Sequence, residues 1–166
     1  MNAAQALTLA EYNRWANGRL LRAAARLAPE QLHAPCWLSQ GSLFRTLIHL
    51  ADAQWSWRLA LQEGRMPGYA LTEEQFPDFQ SLRAYQKQED DLLAAYAGAL
   101  QDAQVEAEVE FSWSSARPRR RPLWQVLLHI LNHGTHHRSE AGQYMATLGV
   151  SPGNLDFILY VAKERS

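Results

Sequence analysis

The sequence predicts an all-α fold built as a four-helix bundle. Three observations lead there. Four stretches carry apolar residues at spacings of three and four, the period of a helix with one buried face. Segments bearing proline and glycine separate these stretches. Only one short segment, Val105 to Trp113, changes to a two-residue period.

The first helix is expected from Ala3 to about Leu27. Leu9, Tyr12, Ala16, Leu20, Ala23 and Leu27 share a face, and Pro29 stops the run. Ala28 to Gln40 contains two prolines and reads as a loop. The second helix opens at Ser42, a natural N-cap, and runs to about Gln62 before Gly64. Its stripe is Leu43, Leu47, Leu50, Gln54, Trp57 and Leu61. Phe44, Ile48, Trp55 and Leu59 add apolar bulk on other sides. Glu63 to Pro77 reads as a long loop. Asp78 then caps a third helix, Phe79 to about Gln101, with Leu82, Tyr85, Leu92, Leu93, Tyr96 and Leu100 inward.

Between Val105 and Trp113, apolar residues alternate with Glu106, Glu108, Glu110 and Ser112, which predicts a strand. It would form half of a hairpin turning near Ser114 to Arg119. Arg117, Arg119, Arg120 and Arg121 make a basic cluster that reads mainly as a solvated turn. A phosphate or nucleic-acid contact is the alternative. The fourth long helix occupies Arg121 to Leu148, with Pro122 in its first turn and Gly149 just past its end. Leu155 to Ala162 completes the chain as a short C-terminal helix.

Composition narrows the function. The 166 residues suit one domain, residues 1–166, able to bury a sizeable core. A formal net charge of −1 lacks the broad positive surface of a nucleic-acid binder. Glu11 and Arg14 arrive too early for a signal peptide, and no apolar run approaches the roughly 18 residues of a membrane span. A single cysteine, Cys36, permits no intrachain disulfide and fits a reducing cytoplasm.

The fourth long helix holds four of the six histidines: His129, His133, His136 and His137. At about 100° per residue, with His129 at zero, the apolar residues fill an arc from about 60° to about 160°. His137 falls inside that arc at about 80°, and His133 on its edge at about 40°. His129 and His136 fall toward the polar side. Two inward imidazoles one turn apart can converge on one point, and neutral imidazole is the commonest protein metal ligand. The alternative is two core histidines, each hydrogen-bonded to its own buried partner. A third ligand would decide between them. His49, within the apolar second helix, is a candidate.

Four stretches carry a resemblance to a known family. They are YNRWANGRLL at Tyr12–Leu21, LIHLADAQWSW at Leu47–Trp57, LWQVLLHILNHGTHHR at Leu123–Arg138 and LDFILY at Leu155–Tyr160. In this order and spacing they resemble the DinB/YfiT-like metalloenzymes over nearly the whole chain. The resemblance implies a four-helix bundle with up-down-down-up connectivity, usually a homodimer. It implies one divalent metal held by a histidine of the second helix and an H-x-x-x-H pair of the late helix. Those positions fall on His49, His133 and His137. Arg138 follows the pair as in the family's H-H-R motif, with Ser139 where a glycine is usual. His129 and His136 occupy family-like positions without being usual ligands.

Three neutral imidazoles would leave a divalent ion its full charge and an open position for water or substrate. Zinc or nickel suits such a set best, with iron or manganese also admitted. No H-E-x-x-H motif supplies the base of a zinc protease. No catalytic residue is assigned. Glu140 is a candidate general base. Tyr144 reads as packing or a hydrogen-bond partner of a ligand, and Asp52 as an ion-pair or hydrogen-bond partner near the site. Cys36 reads mainly as inert packing, with a fourth ligand or nucleophile the alternative. The resemblance implies a metal-dependent enzyme, a thiol S-transferase or hydrolase acting on a small electrophile, with a low-molecular-weight thiol as partner. A non-catalytic metal-binding stress-response protein is the alternative, and a nucleic-acid binder the third.

Overall fold

The computed structural model describes residues 1–112 and 117–163. Four long helices dominate it: α1 (Ala3–Ala24), α3 (Leu43–Glu63), α4 (Phe79–Gly98) and α6 (Leu123–Thr147). Shorter helices are α2 (Pro29–His33), α5 (Asp102–Glu106) and α7 (Phe157–Lys163), with a 3-10 turn at Glu73–Gln75. Strands β1 (Glu108–Phe111) and β2 (Arg119–Pro122) form an antiparallel pair that places Glu110 opposite Arg120.

Local chemistry explains most boundaries. The Asn2 side chain accepts from the Gln5 N–H to start α1; Ser42 caps α3 through the Arg45 N–H, and Asp78 caps α4 through the Ser81 N–H. Gly64 ends α3 in the left-handed region at φ 71°, where a side chain would be strained. Two short helices lie where no helix is expected: α2 in the segment read as a loop, and α5 across the start of the segment read as a strand. In each, a glutamine side chain accepts the N–H of the residue that precedes the helix: Gln31 for Ala28 at α2, and Gln104 for Gln101 at α5. A single turn is too short to show a helical period.

The strand expected from Val105 begins later. Val105 lies in α5, fully buried against the bundle, and β1 starts at Glu108. The expected turn around Ser114 and the last apolar residue of the repeat, Trp113, lie outside the described residues. The basic residues after them are exposed, and Arg120 is paired with Glu110 at 2.9 Å across the hairpin. Helix α6 starts at Leu123, because Arg121 and Pro122 still belong to β2. Leu92, expected inward, is exposed, and Tyr85 and Tyr96 are half-buried.

Helix α1 packs against α4 and α6, and α3 packs against α6 and α4, so α1 and α3 sit on a diagonal. Two apolar clusters fill the bundle. One joins Leu20 of α1, Leu43 and Leu47 of α3, Leu82 of α4 and Met145 of α6. The other joins Ala6 and Ala10 of α1, Leu61 of α3, Leu93 of α4 and Leu127 of α6. No described helix is long and apolar enough to cross a membrane.

Between the clusters lies a polar layer drawn from all four long helices. Asp90 Oδ1 accepts from Asn17 Nδ2 (2.8 Å), Gln54 Nε2 (3.0 Å) and Gln86 Nε2 (3.1 Å). Asn13 Nδ2 donates to Gln54 Oε1 at 2.7 Å. Arg138 Nη1 donates to the side-chain oxygens of Asn13 (2.6 Å) and Asn17 (2.8 Å). All six residues are buried. Beside them Arg58 and Glu89 form a buried two-pronged ion pair, Nε to Oε2 at 2.7 Å and Nη2 to Oε1 at 2.9 Å.

Gly134 of α6 lies close against Asn13 of α1 and the Arg138 guanidinium. A Cβ there would lie 2.7 Å from Arg138 Nη1 and 3.1 Å from Asn13 Oδ1. The guanidinium is held by both asparagines and has little room to give. Gly134→Ala is expected to destabilise the fold by about 1–3 kcal/mol, an overpacking cost that exceeds the helix-propensity gain of alanine. Urea denaturation with an unchanged slope checks it.

Burial raises the Asp90 pKa to about 7 despite hydrogen bonds from Asn17, Gln54 and Gln86 and the charge of Arg138. The folded protein therefore holds this proton more tightly than the unfolded chain does. Asp90 favours folding at low pH, and that advantage is lost as pH rises from about 4 to about 7. Across that window the loss is on the order of 4 kcal/mol. Asp90→Asn, which cannot ionise, is expected to gain melting temperature over the parent as pH rises from 5 to 8. A constant difference across that range would show that Asp90 is not the titrating group.

Candidate metal centre

His49 lies on α3, while His133 and His137 lie one turn apart on α6. The packing of α3 against α6 brings the three rings together. Ring centroids are 5.1 Å apart for His49 and His133, 4.6 Å for His49 and His137, and 4.5 Å for His133 and His137. One nitrogen from each ring lies within 4.8 Å of the others, close enough for all three to reach one ion.

The surroundings favour the neutral form of His133 and of His49. Burial pushes the His133 pKa down to about 4, and the neighbouring His137, His49, His129 and His136 rings add to the shift. Burial also lowers that of His49, followed by the effect of His137, while Asp52 and Glu140 partly oppose it. A neutral ring offers a lone pair to a cation. Nε2 of His133 is buried and has no hydrogen-bond partner. Left like that, it carries a desolvation cost that a hydrogen bond or a cation would remove.

A carboxylate orients the third ring. Glu140 Oε2 lies 2.8 Å from Nδ1 of His137, and the same oxygen accepts from Ser39 Oγ at 3.1 Å. A proton on Nδ1 in that bond leaves Nε2 as the lone-pair nitrogen. Burial works against ionisation of Glu140, but the hydrogen bonds from His137 and Ser39 outweigh it and hold the pKa below the usual value. In the sequence Glu140 reads as a possible general base; the structure gives it this contact with His137. His136, His137 and Glu140 form a second group that could hold an ion. Its geometry is the poorer of the two, because the Glu140 bond occupies Nδ1 of His137 and His136 is exposed.

The remaining candidates take other places. His129 is exposed, stacks edge-on against Trp57 at 4.7 Å and stays outside both groups. Asp52 accepts the Leu71 N–H at 2.8 Å, fastening the segment after Gly64 onto α3 one turn from His49. A cavity of about 440 Å³ opens there, lined by His49, Asp52, Ile48, Leu71, Arg45 and Glu73 among others. Arg45 and Glu73 pair at 2.9 Å on its wall. Tyr144 is buried, with Trp37 against its ring edge. Cys36 belongs to neither metal-capable group of the described residues. Sequence reasoning overlooked Ser39 and the polar layer. Asn13 and Asn17, four residues apart on the buried stripe of α1, were the available signal.

A family model described as the DinB family matches residues 1–165. The chain belongs to the DinB family. A search of curated proteins returns no match. Among solved structures the fold is similar to YfiT from Bacillus subtilis, with a TM-score of 0.69, 19% identity and 91% of each chain covered. YfiT is described as a probable metal-dependent hydrolase with an unusual four-helix bundle topology. At that identity the likeness establishes the shared bundle fold.

Replacing Glu140 by glutamine keeps the shape and removes the charge. Glu140→Gln is expected to weaken divalent-metal affinity about 10- to 100-fold while leaving one ion bound per chain at saturation. Competition against a chromophoric chelator reads this. Unchanged affinity would reduce the Glu140–His137 contact to an ordinary surface bond.

Proposed function

We propose that His49, His133 and His137 hold one divalent cation and that the protein is a metal-dependent enzyme acting on a small electrophile, by thiol transfer or by hydrolysis. The observation that carries this reading is the convergence of three imidazoles from two helices, one with a buried, unpartnered Nε2, beside a cavity of about 440 Å³. Clefts of that size hold small organic ligands. Zinc or nickel suits the donor set best, and iron or manganese is compatible with it.

Each residue has a definite part in this arrangement. His133 and His137 supply two donors from one rigid helix, and His49 supplies the third from the facing one. Glu140 fixes the tautomer and orientation of His137. Asp52 holds the backbone of Leu71 and thereby the cavity wall next to His49. Ile48 and Leu71 give the cavity apolar surface, and the Arg45–Glu73 pair gives it polar contacts for a substrate. When bound, a divalent ion in an open three-histidine site supplies Lewis acidity and lowers the pKa of a coordinated water or thiol. No cysteine or carboxylate of the described residues joins the three rings within ligand distance, which favours an open position over a closed structural site.

Elemental analysis of the wild type beside His49→Ala, His133→Ala and His137→Ala tests the site. The wild type is expected to hold about one equivalent of a divalent metal, and each variant to lose most of it while retaining helical circular dichroism. Thiol consumption with model electrophiles, or hydrolysis of an activated ester, is expected to fall with the metal. Turnover that persists unchanged after chelation would refute the enzyme reading. Full metal content in His133→Ala would refute the site.

A further inference from the structure

On the other side of the bundle, α1 and α4 enclose a groove of about 670 Å³ that the metal site does not use. Its walls bear Arg14 and Arg22 from α1, and Arg83 and Lys87 from α4. Asp91 partly engages two of these cations, Lys87 at 2.7 Å and Arg14 at 3.4 Å. Arg22 and Arg83 form no ion pair with the described residues. Arg22 folds back over Gly18, where a Cβ would lie only 3.3 Å from its Nη1. The absent side chain thus lets a guanidinium lie along the groove wall. Arg22 also lines a neighbouring cavity of about 300 Å³ with Arg19 and Arg26, so the positive surface continues past the groove.

The groove also reaches Asp90 of the buried layer. Three amide donors already occupy Asp90 Oδ1. A carboxyl group with a pKa near 7 can be present as acid or carboxylate, and so can accept from or donate to a ligand hydroxyl or amine. Cations from two helices facing each other across a concave site match the chemistry of phosphate, which arginine binds with paired N–H donors.

We propose that this groove binds an organic phosphate, a small molecule whose phosphate meets Arg22 and Arg83 and whose hydroxyl or amine reaches Asp90. The size of the groove fits a ligand of nucleotide scale. Concavity favours a small molecule over an extended polyanion, which needs a broad convex or channel-like positive surface.

Isothermal titration of the full-length protein with adenosine monophosphate, and separately with inorganic phosphate, tests the site. Saturable one-to-one binding of the nucleotide is expected, tighter than that of phosphate alone. Arg22→Glu/Arg83→Glu is expected to weaken it by about tenfold or more, since two charge-assisted contacts are reversed. A control of equal charge change, Arg65→Glu/Arg117→Glu, is expected to leave it within about twofold. Circular dichroism and metal content of both doubles are expected to match the parent, which separates loss of this groove from loss of fold or of the histidine site. No saturable binding at millimolar nucleotide, or equal weakening by the control, would overturn the proposal. So would tight binding of single-stranded DNA that displaces the nucleotide and is lost in the same variant, because the surface would then serve a polyanion.

Discussion

The register of the four long helices depends on the buried layer of Asn13, Asn17, Gln54, Gln86, Asp90 and Arg138. Apolar packing above and below it would tolerate small sliding, because leucine and alanine contacts are not directional. Amide, carboxylate and guanidinium groups do not tolerate it. Each unpaired buried polar group costs about 1–3 kcal/mol, so slipping one helix by a turn would cost several such penalties at once. The hydrogen bonds can all be made at one relative height of α1, α3, α4 and α6.

That register also places the histidines. His137 and Arg138 are adjacent and point about 100° apart on α6. Arg138 reaches back to Asn13 and Asn17 of α1, while His137 turns toward His49 of α3. One helix therefore uses consecutive residues to fasten one neighbour and to build a site with the other. With Arg138 locked, His133 and His137 are held at the height of His49 by the same contacts that stabilise the bundle. Such rigidity suits metal coordination, where displacement of a donor by a fraction of an ångström weakens the bond.

Much of this was legible in the sequence, for identifiable reasons. The helical period gave the four long helices, and Ser42, Asp78 and Gly64 marked boundaries that the structure keeps. The wheel of the last long helix sorted its histidines as the structure does: His137 buried, His133 half-buried, His129 and His136 exposed. The meeting of His49 with the pair was beyond any single helix, since it depends on how α3 lies against α6. The short helices α2 and α5 were missed because one turn carries no period. Val105 misled because its alternation with Glu106 is real in the sequence, while Gln104 and the bundle wall hold it in a helix. Gln54 was read as part of an apolar stripe, and its partners on two other helices were invisible from its own.

The histidine face and the basic groove lie on different sides of the bundle but meet the same layer, and Asn17 joins the two. Its Nδ2 donates to Asp90 Oδ1, and its Oδ1 accepts from Arg138. An amide has one end of each kind, so the two partners fix its orientation: a flip would set oxygen against carboxyl oxygen and nitrogen against guanidinium. Asp90 borders the groove, and Arg138, itself buried, directly follows His137 on α6. The Asn17 Nδ2 group also donates to Gln54 Oε1 at 3.2 Å, so one amide ties α1 to α3 and α4 through its nitrogen and to α6 through its oxygen.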